Sequence, residues 1–217
     1  MDYELARRNM VESQVRTNRV THAGLVEAME TVPREKFVPE HLAGIAYVDE
    51  AIPLGEGRFV MEPMVLALLL QTAEIDKDDV VLMVGCGSGY GAAIVARLAA
   101  TVVVVDDNAA LAQQATDNLV AMEADNVAIM ESPMAEGNAK QGPYDVIVFN
   151  GAVGEIPDAI ISQLADGGRL VAIVAKGDGL GKGTLVQKFG SSVVSREAFD
   201  AGTPVLPGFE KKAEFVL

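Results

Sequence analysis

Residues 80–98 leave this chain few ways to fold. Val80-Val81-Leu82-Met83-Val84 is a short apolar run that predicts a buried strand. Gly85-Cys86-Gly87-Ser88-Gly89-Tyr90-Gly91 follows, a turn that larger side chains would block. Ala92 to Leu98 is rich in Ala, Ile and Leu, which suits a helix packed on a sheet. The product is a strand–loop–helix unit with free backbone N–H groups at the helix start, which favours an anionic or polar ligand group. The spacing Gly85-x-Gly87-x-Gly89 is not the Gly-x-Gly-x-x-Gly of a dinucleotide fingerprint, which sets a nicotinamide oxidoreductase far back. No Gly-Lys-Ser/Thr follows, so the loop is not a P-loop.

The loop is similar to the first motif of S-adenosylmethionine-dependent methyltransferases. Thr101-Val102-Val103-Val104-Val105 then predicts a second strand, ending in Asp106-Asp107-Asn108. An acid about 20 residues past the glycine loop is placed to accept hydrogen bonds from a ribose. Asp106 directly follows the apolar run and is the candidate, with Asp107 expected to start the next helix. The cofactor-binding set is therefore Gly85, Cys86, Gly87, Ser88, Gly89 and Asp106. The competing view of the two acids is an ordinary strand-end turn and helix cap.

Composition narrows the class. The chain has 217 residues, half of them hydrophobic, enough for one sizeable core. It shows no apolar run long enough to span a bilayer and no signal peptide, and a cytoplasmic location is expected. One cysteine, Cys86, excludes an intrachain disulfide framework. Cys86, His22 and His41 make a poor ligand set, so no metal is expected, and Cys86 reads as a small loop residue instead of a nucleophile. A formal charge of -14 repels a phosphate backbone, which argues against nucleic acid as a partner.

Along the chain, residues 2–18 read as a polar helical arm with Leu5, Met10 and Val15 as its apolar positions. Thr21 is the expected cap of a helix that ends before Pro33. Residues 52–63 hold too many Pro and Gly for a regular element and read as a loop able to close over a site. Helices are expected over Met64–Thr72, Leu111–Met122 and Ile156–Leu164, the last ended by Asp166-Gly167-Gly168. Further strands are expected at Val127–Met130, Tyr144–Phe149, Leu170–Val174, after the Gly177–Gly183 loop, and at Glu214–Leu217. This alternation predicts an α/β fold with a doubly wound, mostly parallel sheet. Residues 1–63 are expected as an N-terminal helical arm and substrate-side loop packed on a compact α/β unit, residues 64–217. Ligands in such sheets sit beyond the carboxyl ends of the strands, which gathers the Gly85 loop, Asp106 and Asn150-Gly151-Ala152 around one crevice.

Several stretches together resemble the protein-L-isoaspartate O-methyltransferase family. They are Val32-Pro33-Arg34-Glu35-Lys36-Phe37-Val38-Pro39, Ala46-Tyr47, Ile52-Pro53-Leu54-Gly55, Gly87-Ser88-Gly89-Tyr90, Tyr144-Asp145 and Ile156-Pro157. They run in family order from about residue 9 to about residue 175, and the last forty residues match poorly. The resemblance implies an enzyme that methylates the free carboxylate of isoaspartyl residues in damaged proteins or peptides. S-adenosylmethionine would be its cofactor and S-adenosylhomocysteine its product. A carboxylate is ionised at neutral pH and needs no general base, so holding the reactants close and aligned is the main task.

The family's Gly-Gln-Thr-Ile-Ser-Gln-Pro loop is here Gly57-Arg58-Phe59-Val60-Met61-Glu62-Pro63. Its serine, used beside the reacting carboxylate, is Met61, which donates no hydrogen bond. Glu62 adds a negative charge that Arg58 could offset. Phe59, Val60 and Met61 are the substrate-loop candidates through their backbone groups, the alternative being a plain hydrophobic lid. No catalytic residue is assigned. The acid usual before the first glycine is Met83, and the Asp of a Gly-Asp-Gly turn that reaches adenine in the family falls at Pro133. Glu131 or Glu136 could replace it only if the loop path shifts. Two further readings stay open: a methyltransferase acting on another carboxylate or small molecule, and a non-catalytic methyltransferase-fold protein acting through protein partners.

Overall fold

The computed structural model describes residues 1–176 and 180–211. The expected strand Glu214–Leu217 and part of the expected Gly177–Gly183 loop lie outside these residues.

The chain opens with α1 (Tyr3–Met10), which continues through a π-turn and a 3-10 turn to Asn18. Met10 and Val15 are buried as the spacing requires, while Leu5 stays exposed. The next helix, α2 (Ala23–Thr31), ends before Pro33. Its cap is His22, not Thr21: His22 Nδ1 accepts from the Leu25 N–H at 3.0 Å. Residues 52–60 are not an irregular loop but a hairpin, β1 (Ile52–Gly55) and β2 (Arg58–Val60). Gly55, Glu56 and Gly57 all have positive φ and make its tip. Pro53 is tolerated because a two-stranded ribbon leaves an unpaired edge for it. The hairpin leads into α3 (Pro63–Ala73), apolar on most sides and started by a proline.

The main sheet follows: β3 (Val80–Val84), α4 (Tyr90–Val95), β4 (Thr101–Asp106), α5 (Ala109–Ala121), β5 (Val127–Glu131), β6 (Tyr144–Val153), α6 (Asp158–Ile161), β7 (Leu164–Ala175), β8 (Gly181–Phe189) and β9 (Ser192–Ala201). Strand order is β5-β4-β3-β6-β7-β8-β9. The first five of these strands are parallel and the last two antiparallel. This is the expected doubly wound, mostly parallel α/β fold. Strands alternate their burial between two cores. Val81, Met83, Val102 and Val104 face one side with α3, α4, α5 and the N-terminal helices. Leu82, Val84, Val103 and Val105 face the other with Ile160, Met134, Leu206 and Phe209.

Three expectations shift. The cap of α5 is Asn108, not Asp107, with Asn108 Oδ1 accepting from the Leu111 N–H at 3.0 Å. The helix expected over Ile156–Leu164 is only Asp158–Ile161, and Leu164 already pairs with Tyr144 in β7. Gly167-Gly168, read as a helix stop, sits where the β6–β7 register slips, the usual place for strand glycines. The long β9 gave no periodic signal because, as an edge strand, nearly all its residues are exposed on both faces.

A Cβ on Gly168 would lie 2.9 Å from the Ala165 carbonyl oxygen and 3.0 Å from that of Tyr144, both rigid backbone atoms. Gly168→Ala is expected to cost about 1–3 kcal/mol of unfolding free energy in urea titrations. Gly44, with nothing within 4 Å, is the control: Gly44→Ala should stay within about 0.5 kcal/mol.

Candidate functional site

The chain visits β3, β4 and β5 in one direction across the sheet and then returns to the other side of β3 with β6. Between β3 and β6 the strand order reverses, and ligands of open α/β sheets bind beyond the strand ends at such a point. The Gly85 loop leaves β3 there, Asp106 ends β4, and Asn150-Gly151-Ala152 continue β6 past the last β3 partner, Val84.

Gly85, Gly87 and Gly89 have φ of 89°, 50° and 95°, in the left-handed region that favours glycine. They also allow three close approaches. A Cβ on Gly85 would meet Leu206 at 3.2 Å, one on Gly87 the Phe59 carbonyl oxygen at 3.3 Å, and one on Gly89 Ala115 of α5 at 3.3 Å. The loop is further tied by the Asn118 side chain donating to the Ser88 carbonyl at 2.8 Å. The Ser88 hydroxyl is buried and has no partner among the described residues. Burial pushes the Cys86 thiol well up, and nearby Asp106 adds to the shift. Cys86 is therefore a protonated, enclosed small residue, with its backbone N–H in use.

That N–H donates to Asp106 Oδ2 at 2.7 Å, so the glycine loop and the end of β4 are joined directly. Asp106 is fully buried. Its Oδ1 accepts from the Asn108 N–H at 2.9 Å and from Arg58 Nη2 at 3.1 Å. Arg58, expected to offset Glu62, turns instead to this carboxylate and also pairs with Asp107. Its guanidinium is almost wholly buried, yet Nε and Nη1 have no partner among the described residues.

Phe59 is half-buried, and Val60 and Met61 are buried. The backbone groups of the last two are engaged: Arg34 Nη2 donates to the Met61 carbonyl at 2.7 Å and to that of Val60 at 3.5 Å. Arg34 Nε donates to the Ala46 carbonyl at 2.6 Å, and its guanidinium lies 4.8 Å from the Tyr90 ring centroid. Sequence reasoning missed this clamp. Its signal is an arginine set among Val32, Pro33, Phe37 and Val38, where only a paired charge can be buried. Met83 is in the core, and Glu131 and Glu136 are exposed. Among the described residues no group of three or more His, Cys, Asp or Glu is placed to hold a metal ion. No helix there is long and apolar enough to cross a membrane.

The groups suit a nucleoside cofactor, but the room does not. Two cavities flank the crevice, one between Met61 and the glycine loop and one between Met61 and Leu206, each about 10 Å³. That holds a single water, whereas small-molecule pockets run to about 300 Å³ or more.

Glu62 accepts from the Thr203 hydroxyl at 2.7 Å, and burial holds its carboxyl above the ordinary range. A folded state that keeps this proton longer is favoured by Glu62 at low pH, and the gain is lost as pH rises through the raised value. Glu62→Gln removes that dependence. Urea unfolding at pH 4 and pH 8 should therefore show the variant gaining on wild type at the higher pH.

Comparison with known proteins places this geometry in context. The family described as protein-L-isoaspartate(D-aspartate) O-methyltransferase matches residues 6–199. A protein-L-isoaspartate O-methyltransferase of Methanoculleus marisnigri is 39% identical over 168 residues, 77% of this chain and 76% of that one. The same-named protein of Methanoregula boonei is 40% identical over 168 residues, 77% of each chain. A solved protein-L-isoaspartate O-methyltransferase superposes with a TM-score of 0.80 at 23% identity, covering 93% of this chain and 66% of its own. A second, from Plasmodium falciparum in complex with S-adenosyl-L-homocysteine, gives a TM-score of 0.76 at 18% identity, covering 92% of this chain and 97% of its own. With most of its length matched by the family and by relatives near 40% identity, this chain belongs to the protein-L-isoaspartate O-methyltransferase family.

Proposed function

We infer that this protein transfers the methyl group of S-adenosylmethionine to the free carboxylate of isoaspartyl residues in damaged proteins and peptides, in the cytoplasm. The observation that carries the reading is the family match over residues 6–199, laid on a crevice at the point where the strand order reverses. When bound, the cofactor supplies a methyl group already activated by its sulfonium. The chain's own task is then positional. Residues 85–89 are proposed to hold the cofactor through their backbone, with the orphaned Ser88 hydroxyl as a further donor. Asp106 is proposed to accept from the ribose hydroxyls, its orientation fixed by the Cys86 and Asn108 N–H groups. The substrate carboxylate is already charged at neutral pH, so no residue need remove a proton from it. Closing the hairpin over the reactants would exclude water and align them.

Met61 at the family's serine position favours a second reading, a methyltransferase-fold protein without isoaspartyl activity. Incubation with methyl-labelled cofactor and paired isoaspartyl and aspartyl peptides separates the two. Alkali-labile label is expected on the isoaspartyl peptide alone, and label on neither would favour the second reading. Met61→Ser restores the hydroxyl and is expected to raise kcat/KM about fivefold, the worth of one hydrogen bond of about 1 kcal/mol.

A further inference from the structure

The crevice is filled by the protein itself, from two sides. Arg58 enters from the hairpin and donates to Asp106 Oδ1, the oxygen that also accepts from the Asn108 N–H. Its neighbours hold it there: Glu56 accepts from the Asn108 side chain at 2.6 Å, and Arg58 also reaches Asp107. A carboxylate offers about four lone-pair sites. Cys86, Asn108 and Arg58 use three of them, which leaves too few for two ribose hydroxyls.

The other side is closed by residues 203–209. Ala152 donates to the Pro204 carbonyl at 2.9 Å and accepts from the Leu206 N–H at 2.8 Å, and Val205 forms a parallel bridge with Ala152. This segment therefore occupies the lane beside β6 that β3 vacates after Val84. Leu206 projects between the glycine loop and β6. Its side chain lies 3.2 Å from a Cβ built on Gly85 and 2.7 Å from one built on Gly151. The two halves touch, since Pro207 lies 3.1 Å from a Cβ built on Gly57 at the hairpin tip.

We propose that Arg58 and Leu206 form a two-part plug that occupies the cofactor crevice in the resting protein, so that S-adenosylmethionine binds only as the hairpin tip and the 203–209 segment withdraw. The proposal rests on the crevice being the cofactor site. The plug is built to be displaced. Two of the Arg58 nitrogens are buried without partners among the described residues, which reduces what the closed state gains from the Asp106 pair. Ribose hydroxyls could replace Arg58 at Asp106 and leave the guanidinium free to reach water. Affinity for the cofactor is then reduced by the fraction of molecules that stand open.

The test is calorimetric titration of the full chain with S-adenosylhomocysteine, for wild type, Arg58→Ala and Leu206→Ala. Arg58→Gln serves in place of Arg58→Ala should the latter lose its cooperative thermal transition. Both sites are expected to give variants that bind at least about tenfold tighter than wild type, because each removes part of the closed-state advantage. Amide exchange at residues 55–58 and 203–208 of wild type should also rise when ligand is added. Wild type binding as tightly as the variants would overturn the plug and leave the methyltransferase reading standing. No binding by any folded variant would overturn both.

Discussion

A carboxylate cut off from water is costly to bury unless donors surround it, and most of this molecule's functional end is arranged around that requirement at Asp106. The Cys86 N–H fixes the glycine loop against β4, and the Asn108 N–H fixes the start of α5. The third donor, Arg58, brings in the hairpin from 48 residues away in sequence. Breaking a buried pair by removing one partner is costly because the other charge is left stranded. The hairpin is thus drawn onto the crevice by the same acid that the fold places there for a ligand.

The departure from the family pattern after β5 leaves an apolar corner beside the glycine loop. The turn after β5 puts Pro133 at the surface and turns Met134 inward, 3.8 Å from a Cβ built on Gly85. Leu206 approaches the same glycine from the C-terminal segment, and both side chains belong to one apolar cluster. Without an acidic turn to hold polar ligand atoms, this corner is lined by thioether and isobutyl groups. This apolar corner is filled from within, because burying Leu206 is favourable by about 1.5–3 kcal/mol.

The parallel centre of the sheet was legible because β3, β4, β6 and β7 carry apolar runs buried on both faces, a pattern that periodicity and length detect, whereas the exposed edge strand β9 was not. The glycine loop and Asp106 were legible because local geometry demands them: positive φ at three glycines, and an acid directly at a strand end. What could not be read depends on partners distant in the chain. Nothing near Arg58 in sequence indicates Asp106, and nothing near residue 206 indicates Gly85 and Gly151. Arg34 is hidden for the same reason, since its carbonyl partners at 46, 60 and 61 carry no side-chain signature. Gly167-Gly168 was misread because the glycine signal is shared by helix stops and strand irregularities.

The two arginines also divide the hairpin into a fixed root and a releasable tip. Arg34 is fully buried, donates to three carbonyls and lies over the Tyr90 ring, so Val60 and Met61 are bound to the body of the fold. Arg58, two residues before Val60, is joined to the site by one nitrogen, while two others have no partner among the described residues. Between them lies Phe59, only half-buried, and beyond Arg58 three consecutive residues of positive φ. Opening at the tip would give two buried donors of Arg58 access to water, whereas opening at the root would free one such donor of Arg34, Nη1, and break its 2.6 Å and 2.7 Å bonds to the Ala46 and Met61 oxygens. The hairpin motion that uncovers Asp106 is therefore one of the tip alone, favoured where ligand hydroxyls replace Arg58 at the carboxylate, with Met61 staying in place beside the glycine loop.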